Sequence, residues 1–176
     1  MKRNYPLIVG LSLLFALLIF LVGFGPIQCC RDVSARVFND APIPVPDTVV
    51  TPLTFNSELF DSTNNIHSTV SNTNRLTAPA NGKYYIYGTV QFESNGNGLR
   101  HVWIRFHGAD GILDIAGQRT PAVIDASEGT FLNISTHYFL SAGEWVELLA
   151  YQTSGETLNV TVSSYASPHF GMVKVP

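Results

Sequence analysis

Cysteine is nearly missing from this chain: of 176 residues only Cys29 and Cys30 are cysteine, side by side. Neighbouring cysteines are badly placed to bridge each other, and none follows them to pair with. Whatever folds after residue 30 therefore stands without disulfides. Also missing are Cys or His pairs at zinc-ligand spacing, a glycine-rich phosphate cradle and a nucleophile elbow. The histidines are scattered as His67, His101, His107, His137 and His169. His101 and His107 share a strand face, but at ~3.3 Å per residue they stand about 20 Å apart, too far for one metal. Glu144 and Glu147 point to opposite faces of a strand and make no carboxylate pair. Charge is sparse as well. From residue 33 onward, 7 Lys and Arg face 12 Asp and Glu, a formal balance of −5. Nucleic-acid binding needs a basic face, which that balance does not supply. The sequence thus predicts neither an enzyme nor a nucleic-acid binder, and it calls for no cofactor.

What is present divides at about residue 32. Leu7 to Phe24 is an apolar run broken only by Ser12 and two glycines. As a helix its 18 residues would span about 27 Å, close to the ~30 Å hydrocarbon core of a bilayer. Lys2 and Arg3 precede the run, whereas Arg31 and Asp32 after it cancel. The positive-inside bias then sets residues 1–6 in the cytoplasm, 7–24 as a transmembrane signal-anchor and the rest outside. A cleaved signal peptide is the alternative, and would make the domain secreted. Against cleavage, the run exceeds the usual ~7–15 residue apolar core of a signal peptide, and Pro26 follows the one small-residue pair at the right spacing. Residues 25–33 read as a juxtamembrane linker, with Cys29 and Cys30 as candidate lipidation sites.

Residues 34–176 read as one domain of short strands. Gly82 to Phe92 alternates Tyr84, Ile86, Gly88, Val90 and Phe92 with Tyr85, Tyr87, Thr89 and Gln91. Arg100 to His107 carries Val102, Ile104 and Phe106 on its apolar face. Further strands are expected at Ile112 to Ala116, Thr130 to Leu140, Trp145 to Gln152, Thr157 to Tyr165 and Phe170 to Val175. Earlier ones fall at Ala35 to Asn39, Thr48 to Phe55 and Arg75 to Thr77. The alternating prolines of Pro42 to Pro46 read as a stiff, extended surface connection. No segment after residue 32 keeps a 3.6-residue period. Many short strands of this kind specify an all-β sandwich or jelly roll.

Four stretches resemble the complement C1q globular-head family, in that family's order. They are Leu53-Thr54-Phe55-Asn56 with Phe60-Asp61 and Ile66-His67; Leu76 to Ile86; Tyr138 to Leu148; and Ser167 to Met172. Glu144 stands where the family has Asp, Met172 follows a single glycine, and the collagen stalk is missing. The resemblance implies a ten-stranded jelly-roll β-sandwich of C1q/TNF-like type that assembles as a homotrimer and binds partners. It also implies that calcium binding is open to Asp110, Asp114 and Asp125.

On that frame, Tyr85, Tyr87, Phe131 and Phe139 become candidates for the trimer interface, being aromatic residues off the core face. The family's arrangement makes the Arg100 and Trp145 strands neighbours. Strand parity then turns His101, Trp103, Arg105 and His107 outward, together with Trp145, Glu147, Leu149 and Tyr151. Trp103, Arg105, Trp145, Glu147 and Tyr151 are the candidate ligand-binding residues, for a protein or glycan partner. Mere cross-strand stiffening of the sheet by the two tryptophans is the alternative. Asn133-Ile134-Ser135 and Asn159-Val160-Thr161 fit the glycosylation acceptor pattern. The expected function is a membrane-anchored trimeric binding head. A purely structural adhesin- or fibre-type head is the alternative, with a jelly-roll hydrolase less favoured for want of an acid/base constellation.

Overall fold

The computed structural model describes residues 32–124, 128–163 and 168–176. The apolar run Leu7 to Phe24, read from the sequence as a membrane anchor, lies outside the described residues, as do Cys29, Cys30, Asp125 and Tyr165. No helix among the described residues is long and apolar enough to cross a membrane. Asp32–Pro176 forms one compact unit.

The described residues are all β. The strands are β1 (Ser34–Phe38), β2 (Ile43–Val45), β3 (Thr51–Pro52), β4 (Ser57–Asp61), β5 (Arg75–Thr77) and β6 (Gly82–Phe92). They continue with β7 (Leu99–Gly108), β8 (Gly111–Pro121), β9 (Thr130–Leu140), β10 (Trp145–Gln152), β11 (Leu158–Val160) and β12 (His169–Lys174). One sheet of seven runs β2-β11-β6-β12-β1-β4, with β9 on the free side of β6. The other, of five, runs β3-β10-β7-β8, with β5 also on β10. Every strand pair is antiparallel.

β1 and β2 lie along β12 and β11, and β11 and β12 both lie along the same side of β6.

Alternation explains the long strands. On β6 the even positions from Tyr84 to Phe92 are buried and meet Phe170, Met172, Leu132 and Ile134 of the flanking strands. Val102, Ile104 and Phe106 of β7 and Val146, Leu148 and Ala150 of β10 form the opposing layer of the same core. Gly88 sets the spacing between layers, since a Cβ there would lie 2.8 Å from Leu148 Cδ2.

Three expectations need correction. The proline run is not only a connection, because Ile43–Val45 pairs with β11. Pro44 is tolerated because β2 is an edge strand and its missing N–H costs no ladder bond there. Thr48 to Phe55 shrinks to Thr51–Pro52, while Ser57–Asp61 pairs along the outer edge of β1. That edge leaves most of β4 exposed, so it shows no apolar alternation. Strand β8 runs on past Ala116 to Pro121, because its polar second half is held by the β7 backbone rather than by burial.

Arg100 shares the core face of β7 and is fully buried without a carboxylate. Its Nη1 donates to the carbonyls of Asn97 and Leu99 at 2.9 and 3.1 Å, and its Nη2 to that of Asn95 at 2.6 Å. The guanidinium also lies 5.8 Å from the Phe92 ring centre. It is an internal clamp on the turn that joins β6 to β7. Burial holds its pKa below the ordinary arginine value.

Candidate binding and assembly surfaces

The register of the five-stranded sheet lines its outward residues into rows. Thr77, Trp145, His107 and Ile112 form one row, and Arg75, Glu147, Arg105 and Asp114 the next. Pro52, Leu149, Trp103 and Gly117 follow, then Tyr151, His101 and Arg119. All five candidate binding residues therefore share one face, on adjacent strands.

Their side chains do not present themselves as open aromatic platforms. Trp145 lies parallel to the His107 ring, centroids 3.6 Å apart and planes 7° apart. The Arg75 guanidinium carbon sits 4.0 Å from the same indole centre. Two groups that close cannot share one side of a ring, so both indole faces are covered. Trp103 points away from the core, as parity requires, yet is only 6% exposed. His101 stacks on it at 4.5 Å, and Arg105 approaches at 5.9 Å. The expectation of an accessible Trp103 is therefore corrected: neighbouring rows close over it, and its indole N–H is buried without an acceptor.

Glu147 is the polar hub of this face and is 5% exposed. One oxygen lies 2.7 Å from His107 Nε2, and the other accepts from Asn74 Nδ2 at 2.7 Å. Arg105 makes a two-pronged pair with Asp114, at 2.7 and 3.2 Å. That pair, with burial opposing it, lifts the Arg105 pKa above its ordinary value. Tyr151 is half-buried opposite His101. Burial and then Arg119 push the His101 pKa down.

Asp114 is thus already engaged by Arg105, and Asp110 is exposed. Among the described residues no three His, Cys, Asp or Glu side chains converge on a point where a metal could sit. Glu144 lies apart from Glu147, its carboxylate accepting the Ser141 N–H at 2.8 Å.

The seven-stranded sheet turns a different face outward. Tyr85 and Tyr87 stack at 5.7 Å, and His137 lies 5.1 Å from Tyr85. Tyr87 lies over Gly171, where a Cβ would reach within 2.6 Å of its hydroxyl oxygen. Phe131 and Phe139 on β9 are 40% and 57% exposed. At the far edge, Leu59 and Phe60 of β4 are also exposed. Arg36 donates to His169 Nδ1 on this side. Burial first, and Arg36 second, lower the His169 pKa.

Both glycosylation patterns fall on strands. Asn133 is exposed beside Tyr87 and Thr89, and its Oδ1 accepts from the Thr89 hydroxyl at 3.0 Å. Asn159 is tied through backbone and side chain to the Glu93 carboxylate.

Sequence reading missed three participants here: Arg75, Asn74 and Arg119. Arg75 lies on a three-residue strand too short to show a period, and Asn74 precedes it in a loop. Arg119 lies on the polar end of β8, which had not been read as strand.

With this geometry in view, the solved structures similar to the chain are informative. Murine APRIL at pH 5.0 superposes with a TM-score of 0.60 at 12% identity, covering 82% of this chain and 100% of that one. The globular domain of zebrafish complement 1qA gives 0.58 at 16%, covering 82% and 98%. Eiger TNF from S. frugiperda gives 0.61 at 14%, covering 83% and 94%. The chain therefore has the C1q/TNF-like jelly-roll fold; identities this low speak to fold alone. No protein-family model matches the chain. An uncharacterized protein of Acanthamoeba polyphaga mimivirus is 26% identical over 91 residues, 51% of this chain. The matched stretch is 38% of that relative's length.

Proposed function

We propose that the chain is an outward-displayed binding head, anchored in a membrane through Leu7 to Phe24, which associates with two copies of itself. The observation that carries this reading is the aromatic face of the seven-stranded sheet. Tyr85, Tyr87, Phe131 and Phe139 lie outside the monomer's core, and the two phenylalanines remain largely open to water. Apolar area of that kind is characteristic of a surface that a partner covers. Self-association through it leaves the outward face of the five-stranded sheet free for a protein or glycan.

On that second face, Arg105, Trp145 and Tyr151 are the contact residues in this reading, and the buried Trp103 and Glu147 support them from beneath. A structural head without a specific ligand is the second reading, favoured by the covered faces of both tryptophans.

Two measurements test the proposal. Full-length protein should partition with membranes and resist carbonate extraction; a lipid-free product beginning near residue 26 to 30 would refute the anchor. The double variant Tyr87→Glu, Phe139→Glu should dissociate the assembly while leaving a protomer that keeps the β circular-dichroism spectrum and melts cooperatively, at a temperature lowered by the loss of association. Unchanged assembly mass in this variant would refute the interface.

A further inference from the structure

Positive charge is unevenly placed on this acidic domain. Of its 7 Lys and Arg, Arg75, Arg105 and Arg119 all lie on the outward face of the five-stranded sheet. Arg105 is neutralised by Asp114. Glu147 stands opposite Arg75 in the register, but turns both oxygens to His107 and Asn74 and is nearly buried. Among the described residues, no hydrogen bond or ion pair engages the guanidinium of Arg75 or of Arg119. The Nε of Arg75 is buried without an acceptor, and its guanidinium carbon lies over the Trp145 ring. Arg119 is exposed. The face therefore offers two cations without a carboxylate partner, Arg75 held against Trp145 and Arg119 open to water, and its one exposed carboxylate among the described residues of these rows, Asp114, is already paired.

The sheet sets the distance between them. Arg75 is on β5 and Arg119 on β8, three strand intervals apart, or about 14 Å at ~4.8 Å each. They also stand four residues apart along the strand direction, about 13 Å. The diagonal is about 20 Å, and no small anion spans it. An extended peptide at ~3.3 Å per residue covers it in about six residues. Between the two arginines Trp103 is buried under His101, so the floor there is closed and the exposed charge of Arg119 is what a ligand meets.

We propose that this face binds an acidic protein segment, with carboxylates engaging Arg75 and Arg119 across the buried row of Leu149 and Trp103 that separates them. The inference rests on reading the five-stranded sheet as the partner-facing side, and it does not require the other sheet to self-associate.

The test uses the full chain in detergent micelles, with fluorescent poly-L-glutamate as one probe and a heparin oligosaccharide as the other. Poly-L-glutamate should bind at low salt and weaken as salt rises. Arg119→Gln should lower its affinity about threefold to tenfold, and Arg75→Gln by a similar factor. Lys83→Gln, on the opposite sheet, should leave it unchanged. Arg119 has no internal partner, so its variant reports on binding even if Arg75→Gln disturbs the Trp145 stack. No binding of poly-L-glutamate, or an equal loss in Lys83→Gln, would overturn the proposal. Tighter binding of heparin than of poly-L-glutamate through the same arginines would overturn it in favour of an acidic glycan. Light scattering on the same samples reads self-association separately, so failure of one reading is not mistaken for failure of the other.

Discussion

Replacing Arg100 with methionine isolates what a buried cation does inside an otherwise apolar sandwich. Methionine keeps much of the aliphatic stem and removes the guanidinium, which lies 5.8 Å from the Phe92 ring centre. Three charge-assisted bonds to the carbonyls of Asn95, Asn97 and Leu99 are lost. Such bonds contribute roughly 1.5–3 kcal/mol each when buried, but Gly96, Asn97 and Gly98 are exposed, so water can reach part of the turn. Counting about 1–1.5 kcal/mol per bond gives a loss of ~3–4.5 kcal/mol. Relief from holding a cation out of water offsets ~1–2 kcal/mol of that. The net expectation is about 2–3 kcal/mol, or a melting temperature lowered by ~6–10 °C for a domain of this size. Circular dichroism melts and urea titrations of Asp32–Pro176, which contains every strand and core residue described, would measure it. Arg119→Met, at an exposed and unpaired position, should change stability by less than ~0.5 kcal/mol. An Arg100→Met protein as stable as wild type would refute the clamp and show that the buried cation is only a cost.

Gly98 has φ +71°, and a Cβ there would collide with the backbone carbonyl of Thr153. Gly98→Ala should therefore cost more than ~2 kcal/mol in urea midpoint terms, whereas Gly143→Ala, with φ +90° and open space around it, should cost only ~1 kcal/mol. Both His101 and His169 have folded pKa values below the ordinary 6.5, so folding favours their neutral forms. Their contribution is complete above pH 6.5 and is lost as pH falls below it. Melting temperature should drop between pH 7.5 and 5, and less steeply in a His101→Gln, His169→Gln variant; an identical slope would refute this assignment. For Asp61, burial raises the pKa, but hydrogen bonds from Thr63, His67 and Ile66 outweigh it and leave the value below 3.8. The loop after β4 should therefore loosen only as pH falls below about 3.8, seen as a loss of amide protection at Ile66 and His67 relative to their intrinsic exchange rates.

The legible parts of this fold are those where burial is one-sided. On β6, β7, β9 and β10 a buried face alternates with an outward one, so period-two patterning marks both the strand and its parity. That parity, together with the strand adjacency implied by the C1q resemblance, gathered Trp103, Arg105, Trp145, Glu147 and Tyr151 on one surface. What parity cannot convey is how neighbouring rows lean. Trp103 points outward and is nonetheless covered, because His101 and the rows beside it close over the ring. Strands β2, β4 and the second half of β8 left no pattern to read: an edge strand is held by backbone bonds on one side, and its side chains need not alternate. Arg100 also defied pattern reading, since an arginine at a core position looks like a strand end until its carbonyl partners are located.

Self-association of the head is the central claim, and the mass of the assembly in solution tests it most directly. Multi-angle light scattering on Asp32–Pro176 at micromolar concentration should report three copies, with Phe131 and Phe139 protected from solvent in the assembly. A clean monomer at that concentration, with both phenylalanines still accessible, would contradict it.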